Sequence, residues 1–220
     1  MEDKQSKLSK KDLNKAIWRW QFFSHANYNY ERLQASSFAL SMIPIIKKLY
    51  PDNKEKQIEA IQRHLGFFNT EPNFGAVIHG ITVAMEEEKS DGAPISEEAI
   101  NSIKVGLMGP LAGLGDTLTQ GTIIPLLLAI GISFGEKGNL FGPLFFMLAC
   151  SAALIMITRT TFFLGYKSGK NAVNTLLTDE RFDKVINGAS ILGVMVIGAL
   201  IAQYVQFNLA LVLNIGSTVI

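Results

Sequence analysis

Apolar and charged positions alternate at helical spacing through the first hundred residues and then separate almost completely. Leu13, Ile17, Trp20 and Phe23 recur every three or four residues, which lays one apolar stripe along a helix. Leu33, Phe38, Met42, Ile45 and Ile46 carry an apolar face up to Lys47-Lys48, and Tyr50-Pro51-Asp52-Asn53 is a turn signal. Lys54–Phe68 predicts another amphipathic helix, with Ile58, Ile61, Leu65 and Phe68 on one face. Asn69–Gly75 breaks the pattern, a helix follows to about Glu88, and Lys89–Pro94 is a loop. Ser96 with Glu97 and Glu98 is a helix start, because a hydroxyl cap and first-turn acids complement the exposed N–H groups and the dipole. The run Glu86-Glu87-Glu88-Lys89-Ser90-Asp91 predicts a solvated helix end.

The second half differs in kind. Thr117–Gly135 and Gly138–Thr158 carry no charge, and each is close to the roughly 20 residues a spanning helix needs. From Val185 onward the chain is again uncharged, with Gln203, Gln206 and Asn208 interrupting its apolar character. Two or three spans follow. The connector after the second run holds Lys167, Lys170, Arg181 and Lys184. The positive-inside rule puts that connector and the basic N-terminal region in the cytoplasm. The fold class expected is all-α: an integral membrane protein with an amphipathic helical half, residues 1–104, and a half with two to three transmembrane or re-entrant segments, residues 105–220.

Between the halves, Gly106–Gly121 packs five glycines, Pro110 and Asp116 against the first apolar run. Irregular backbone and an ionisable group are tolerated in a bilayer only where protein or a wet cavity surrounds them. The cluster predicts a broken segment, re-entrant or kinked. Close helix packing is the other use of such glycines. Asp116 has two readings: a ligand for solute hydroxyls, or a cap on a helix starting at Thr117.

The segment Trp18–Gln34 interleaves aromatic rings with amides, Glu31 and two arginines. Ring faces and bidentate polar groups suit a neutral sugar. An interfacial helix with its rings at headgroup level is the alternative, and it is the reading expected for Trp18 and Trp20.

Other chemistry is limited. The net charge of +1 gives no argument for nucleic acid. The single Cys150 lies in an apolar run without the electropositive setting a reactive thiol needs. His25, His64 and His79 have no metal or triad spacing and read as surface or packing residues. Arg159 is expected to snorkel, with pairing to a carboxylate as the other option. No phosphate-cradling loop is present, so no catalytic residue, metal or cofactor is expected. No signal peptide is visible.

Three stretches carry a resemblance: Phe22-Phe-Ser-His-Ala-Asn-Tyr-Asn-Tyr-Glu-Arg-Leu-Gln34, Phe67-Phe-Asn-Thr-Glu-Pro-Asn73 and Gly106-Leu-Met-Gly-Pro-Leu-Ala-Gly-Leu-Gly-Asp-Thr-Leu118. In this order they resemble the IID subunit of the mannose-family sugar phosphotransferase system. The resemblance implies a IIC membrane partner, with which IID forms the sugar-translocating unit, and soluble IIA and IIB proteins that carry the phosphate. It implies a trimer of IIC–IID pairs, surrounding lipid, and a hexose or amino-sugar substrate phosphorylated as it enters. The setting implied is a bacterial plasma membrane, crossed several times, with the N-terminus inside. Asn27, Asn29, Glu31, Asp116 and Thr117 are the candidate sugar-binding residues, and Asn69, Thr70 and Glu71 are alternatives that equally suit a structural role. Family members continue past the position of Ile220, so a shortened C-terminus is expected. The competing reading is a membrane scaffold or assembly subunit that never touches substrate.

Overall fold

Ser9 starts the first helix through a reciprocal cap: its hydroxyl accepts from Asp12 N at 3.3 Å, and Ser9 N donates to Asp12 Oδ2 at 3.1 Å. Two of the N–H groups a helix start leaves unpaired are satisfied this way. A computed structural model describes residues 6–135 and 138–169, together with Ile191, Met195, Gly198 and Ala202. The expected third span, the connector residues Lys170, Arg181 and Lys184, and the pair Glu136-Lys137 lie outside the described residues.

The elements are α1 (Lys10–Phe23), α2 (Ala35–Leu49), α3 (Lys54–Arg63), α4 (Ala76–Ser90) and α5 (Glu97–Gly115). A π-helical segment, Asp116–Ile123, follows without a break, then α6 (Ile124–Gly135) and α7 (Phe141–Ser168). The protein is all-α, as the periodicity predicts. Asn53 caps α3 by accepting from Lys56 N at 2.9 Å, and Ser96 caps α5 by accepting from Ala99 N at 3.1 Å. The α3 stripe is corrected: Ile58 is exposed, and the helix ends before Phe68, which is buried.

The chain divides into two units, Met1–Gly115 with Ala153–Asp179 and Asp116–Ala152 with Glu180–Ile220. In the first unit, Trp20, Phe38 and Phe68 form an aromatic core, with Phe38 and Phe68 centroids 4.5 Å apart. Burying each phenylalanine stabilises the fold by about 1.5–3 kcal/mol. Here α4 is buried on nearly every face from Ala76 to Glu86. It crosses α7 at two glycines: a Cβ on Gly80 would meet the Phe162 carbonyl and Tyr166 N, and one on Gly165 the Val77 carbonyl. In the second unit, a Cβ on Gly131 would lie 3.1 Å from the Gly142 carbonyl oxygen, so α6 and the start of α7 also meet through glycine. Asn139 caps α7, accepting from Phe141 N at 2.9 Å.

Among the described residues, two continuous helices are long and apolar enough to cross a membrane, Glu97–Gly135 and Phe141–Ser168. Only 17% and 11% of their most apolar windows is covered by the rest of the chain. A soluble core helix would be covered; these present apolar surface that needs lipid or protein around it.

Candidate functional site

Three stretches that are far apart in sequence meet around residues 69–74 of the first unit. The loop after α1 pairs with this segment like a short sheet edge: Gln34 N donates to the Phe68 carbonyl at 2.9 Å. The Gln34 side chain repeats the pairing, donating from Nε2 to the Thr70 carbonyl at 2.9 Å and accepting from Thr70 N at 3.0 Å. Tyr28 donates to Asn69 Oδ1 at 2.6 Å, and Trp20 Nε1 donates to the Pro72 carbonyl at 2.9 Å. From the glycine-rich stretch, the Met108 carbonyl accepts from Thr70 Oγ1 at 3.2 Å. From α7, Thr158 donates to Asn73 Oδ1 at 3.0 Å and Thr161 to the Asn73 carbonyl at 2.7 Å.

Glu71 lies at the centre of this junction and is 4% exposed. Its carboxylate accepts from Asn73 Nδ2 at 2.5 Å and Phe74 N at 2.7 Å. A Cβ on Gly115 would lie 2.5 Å from Glu71 Oε2, so glycine is what lets the end of α5 pass this carboxylate. A buried carboxylate with two short donors is tolerable; one without them is costly.

Asn27, Asn29 and Glu31 share the loop between α1 and α2, and all three are exposed. Asn29 is a turn former: its Oδ1 accepts from Arg32 N at 2.8 Å and its Nδ2 donates to Ser36 Oγ at 3.4 Å. Leu33, at φ 49°, closes the same turn. Asp116 and Thr117 belong to the second unit, where they open the π-helical segment; Asp116 is exposed and Thr117 half-buried. The helix-cap reading of Asp116 is corrected, because helix runs unbroken through Pro110 and Gly113 to Ile123. A π turn takes up an extra residue without ending the helix, and such turns recur at functional sites. The hydroxyl of Thr122 donates to the Thr117 carbonyl at 3.0 Å and helps satisfy the widened backbone.

Trp20 is also corrected. It is 1% exposed and packs in the core, while Trp18 is exposed and stacks on Phe22 at 5.5 Å. Arg159 pairs with an amide, donating to Asn14 Oδ1 at 2.8 Å.

A second polar cluster lies inside the first unit. Glu86, expected to be solvated, is fully buried. Arg63 Nε donates to Glu86 Oε1 at 2.8 Å, and Arg63 Nη1 pairs with Glu97. His64 Nε2 lies 3.1 Å from the same Oε1, off the hydrogen-bond line but within ion-pair reach. Burial pushes the Glu86 carboxyl up, but His64 and Arg63 outweigh it and hold the group below the ordinary carboxylate range. Burial holds both His64 and His79 below the ordinary histidine value, opposed at His64 by Glu86. Lys104 is also fully buried, its Nζ 4.6 Å from the centre of the Phe38 ring. Periodicity alone gave no sign of this cluster, since Lys104 reads as the polar edge of a membrane segment.

Comparison with known proteins agrees with the three stretches. The profile of the PTS system mannose/fructose/sorbose family IID component matches residues 7–220. The chain is 40% identical over 210 residues to the PTS system mannose-specific EIID component of Escherichia coli K12, covering 96% of this chain and 74% of that protein. It is 40% identical over 212 residues to the fructose permease IID component of Bacillus subtilis 168, covering 96% and 76%. Among solved structures, it is similar to a chain of the mannose transporter ManYZ in complex with microcin E492, at TM-score 0.72 and 41% identity, covering 91% of this chain and 72% of that one. A second solved membrane protein gives TM-score 0.80 at 42% identity, covering 88% and 70%. With most of its length matched at this identity, the chain belongs to the IID components of the mannose/fructose/sorbose family of the phosphotransferase system.

Proposed function

We propose that this chain forms, with a IIC membrane subunit, the path by which a hexose or amino sugar enters the cell and is phosphorylated. The observation that carries this reading is the convergence of all three stretches on residues 69–74, which gathers amides, hydroxyls and a buried carboxylate in one place. Phosphate comes from soluble IIA and IIB proteins, and this chain holds no phosphorylated residue of its own. The assembly is a trimer of IIC–IID pairs in lipid, in a bacterial plasma membrane. Residues 1–104 form the cytoplasmic and interfacial region, and residues 105–220 the membrane region.

Asn27 and Glu31, exposed on their loop, and Asp116 and Thr117, at the π-helical turn, offer hydrogen bonds to sugar hydroxyls. Asn29 acts mainly by shaping the turn that presents its neighbours. Glu71 keeps the junction in register.

The test is uptake in cells that lack their own system, with the chain produced alone, with its IIC partner, or as the double variant Glu31→Ala, Asp116→Ala. Uptake should require both subunits, and the sugar should appear inside as its phosphate. The double variant should assemble and lose at least about tenfold in uptake, the scale of one lost charge-assisted hydrogen bond. Undiminished uptake by the assembled double variant would refute both of these sugar-binding assignments. Assembly with no dependence of uptake on this chain would establish the scaffold role instead.

A further inference from the structure

Phe38 lies in the middle of the first unit with three nitrogen-bearing side chains against its ring. His79 stacks at 4.1 Å between centroids, His64 lies at 5.6 Å, and Lys104 Nζ is 4.6 Å from the ring centre. All four residues are fully buried. Five polar atoms in this core have no hydrogen-bond partner among the described residues: Lys104 Nζ, His64 Nδ1 and Nε2, His79 Nδ1 and Thr82 Oγ1. Thr82 stands on α4 between His79 and Glu86, within a turn of each. The ring face of Phe38 offsets part of the cost of burying an ammonium, but supplies no acceptor for its N–H groups.

The protons on the two imidazoles follow from their other contacts. Ser41 has one hydroxyl proton and gives it to the Phe38 carbonyl at 2.6 Å. Its oxygen must therefore accept from His79 Nε2, which lies 2.7 Å away. With Nε2 carrying the proton of a neutral ring, His79 Nδ1 is a bare lone pair. His64 Nε2 lies 3.1 Å from the Glu86 carboxylate, where a lone pair would be repelled, so in the neutral ring it carries the proton and His64 Nδ1 is also a lone pair.

Apart from His64 Nε2, which faces Glu86, the unpartnered groups are thus a donor with up to three N–H bonds, two pure acceptors and a hydroxyl. An anion would suit the amine but be repelled by two lone pairs. A second cation would suit the lone pairs but be repelled by the ammonium. Water satisfies both, accepting from Nζ and donating to Nδ1, and buried water usually makes about three such bonds.

We propose that the core around Phe38 is a hydrated chamber, in which internal water bridges Lys104 Nζ to the Nδ1 atoms of His64 and His79, with the Thr82 hydroxyl as a further partner. From His64 the polar line continues through Glu86 and Arg63 to Glu97. Arg63 and Glu97 line an open cleft with Tyr50, Lys56 and Lys89. The chamber is therefore joined by hydrogen-bonding groups to the surface of the same unit, and it ties α2, α3 and α4 to the first membrane-crossing helix.

The experiment is water-edited solid-state NMR of the full chain, labelled with 15N-histidine and reconstituted in lipid bilayers. The protein has three histidines, and His25, which is exposed, serves as the internal reference. Nδ1 of both His64 and His79 should appear as an unprotonated, pyridine-type nitrogen. Both should receive polarisation from water at short mixing times, and Lys104→Met should abolish that transfer while leaving His25 unchanged. Transfer to His25 alone, a protonated Nδ1 on either buried ring, or transfer that survives Lys104→Met would overturn the proposal. The wild-type spectrum decides by itself if Lys104→Met does not fold.

Discussion

His79 has the Phe38 ring on one side and Ser41 at 2.7 Å on Nε2, so taking up a second proton would place a charge in the core. Burial holds its proton affinity, and that of His64, below the value of about 6.5 found in an unfolded chain. The sign follows from linkage. Below about pH 6.5 the unfolded chain takes up protons that the fold refuses, so the contribution is complete above that pH and is lost progressively as pH falls toward the folded values. Glu86 acts in the same direction in a lower window. Its carboxyl is held below the ordinary value, so its contribution is present above the unfolded carboxylate range and is lost as pH falls through the folded value. The unfolding midpoint of the detergent-solubilised chain should therefore drop between about pH 7 and about pH 5, and His79→Leu should flatten that slope. A midpoint that is level over this range, or that rises as the solution is acidified, would show that these histidines are not buried as neutral rings.

At the scale of helices, hydrophobic spacing revealed the elements but not their phase against one another. The turn at Tyr50–Asn53, the helix start at Ser96, the break at 69–75 and the two apolar runs were legible, because each depends on neighbouring residues alone. Glu86 was not. In the run Glu86-Glu87-Glu88 nothing local separates the buried member from the others; its spacing from His79 and Thr82 does so only once α4 is known to be enclosed. The π-helical turn escaped as well, since glycine and proline in an apolar setting signal a break without saying whether the backbone re-forms its bonds at a wider pitch. The glycines divide by what surrounds them. At Gly80 and Gly165 a Cβ would strike the backbone of the opposite helix, whereas at Gly106 and Gly109 it would meet nothing within 4 Å in this chain. Gly80→Ala should therefore cost about 1–3 kcal/mol, the scale of overpacking a close contact. Gly106→Ala should be neutral or stabilise the chain by up to about 1 kcal/mol, since alanine is the better helix former. Unfolding of the two variants in detergent measures the difference, and equal effects would mean that α4 and α7 do not cross where the structure has them.

For the molecule as a whole, charge distribution predicts which way the chain threads the membrane. The helices Glu97–Gly135 and Phe141–Ser168 are joined by a short connector containing Gly138, Asn139 and Leu140. Lysines and arginines crowd the region before Glu97, and Lys167 ends the second helix. Because basic residues are retained on the cytoplasmic side, residues 6–96 should lie inside the cell and the connector outside. Single cysteines in a Cys150→Ser background test this. Leu140, 78% exposed, marks the connector, and Glu55, exposed on α3, marks the N-terminal region. In intact cells a membrane-impermeant maleimide should label Leu140→Cys, and it should label Glu55→Cys only after the membrane is opened. The opposite pattern would invert the topology. Labelling of both sites in intact cells would mean that the two helices do not span as a pair, and the apolar surface they leave uncovered would then have to be buried against protein instead of lipid.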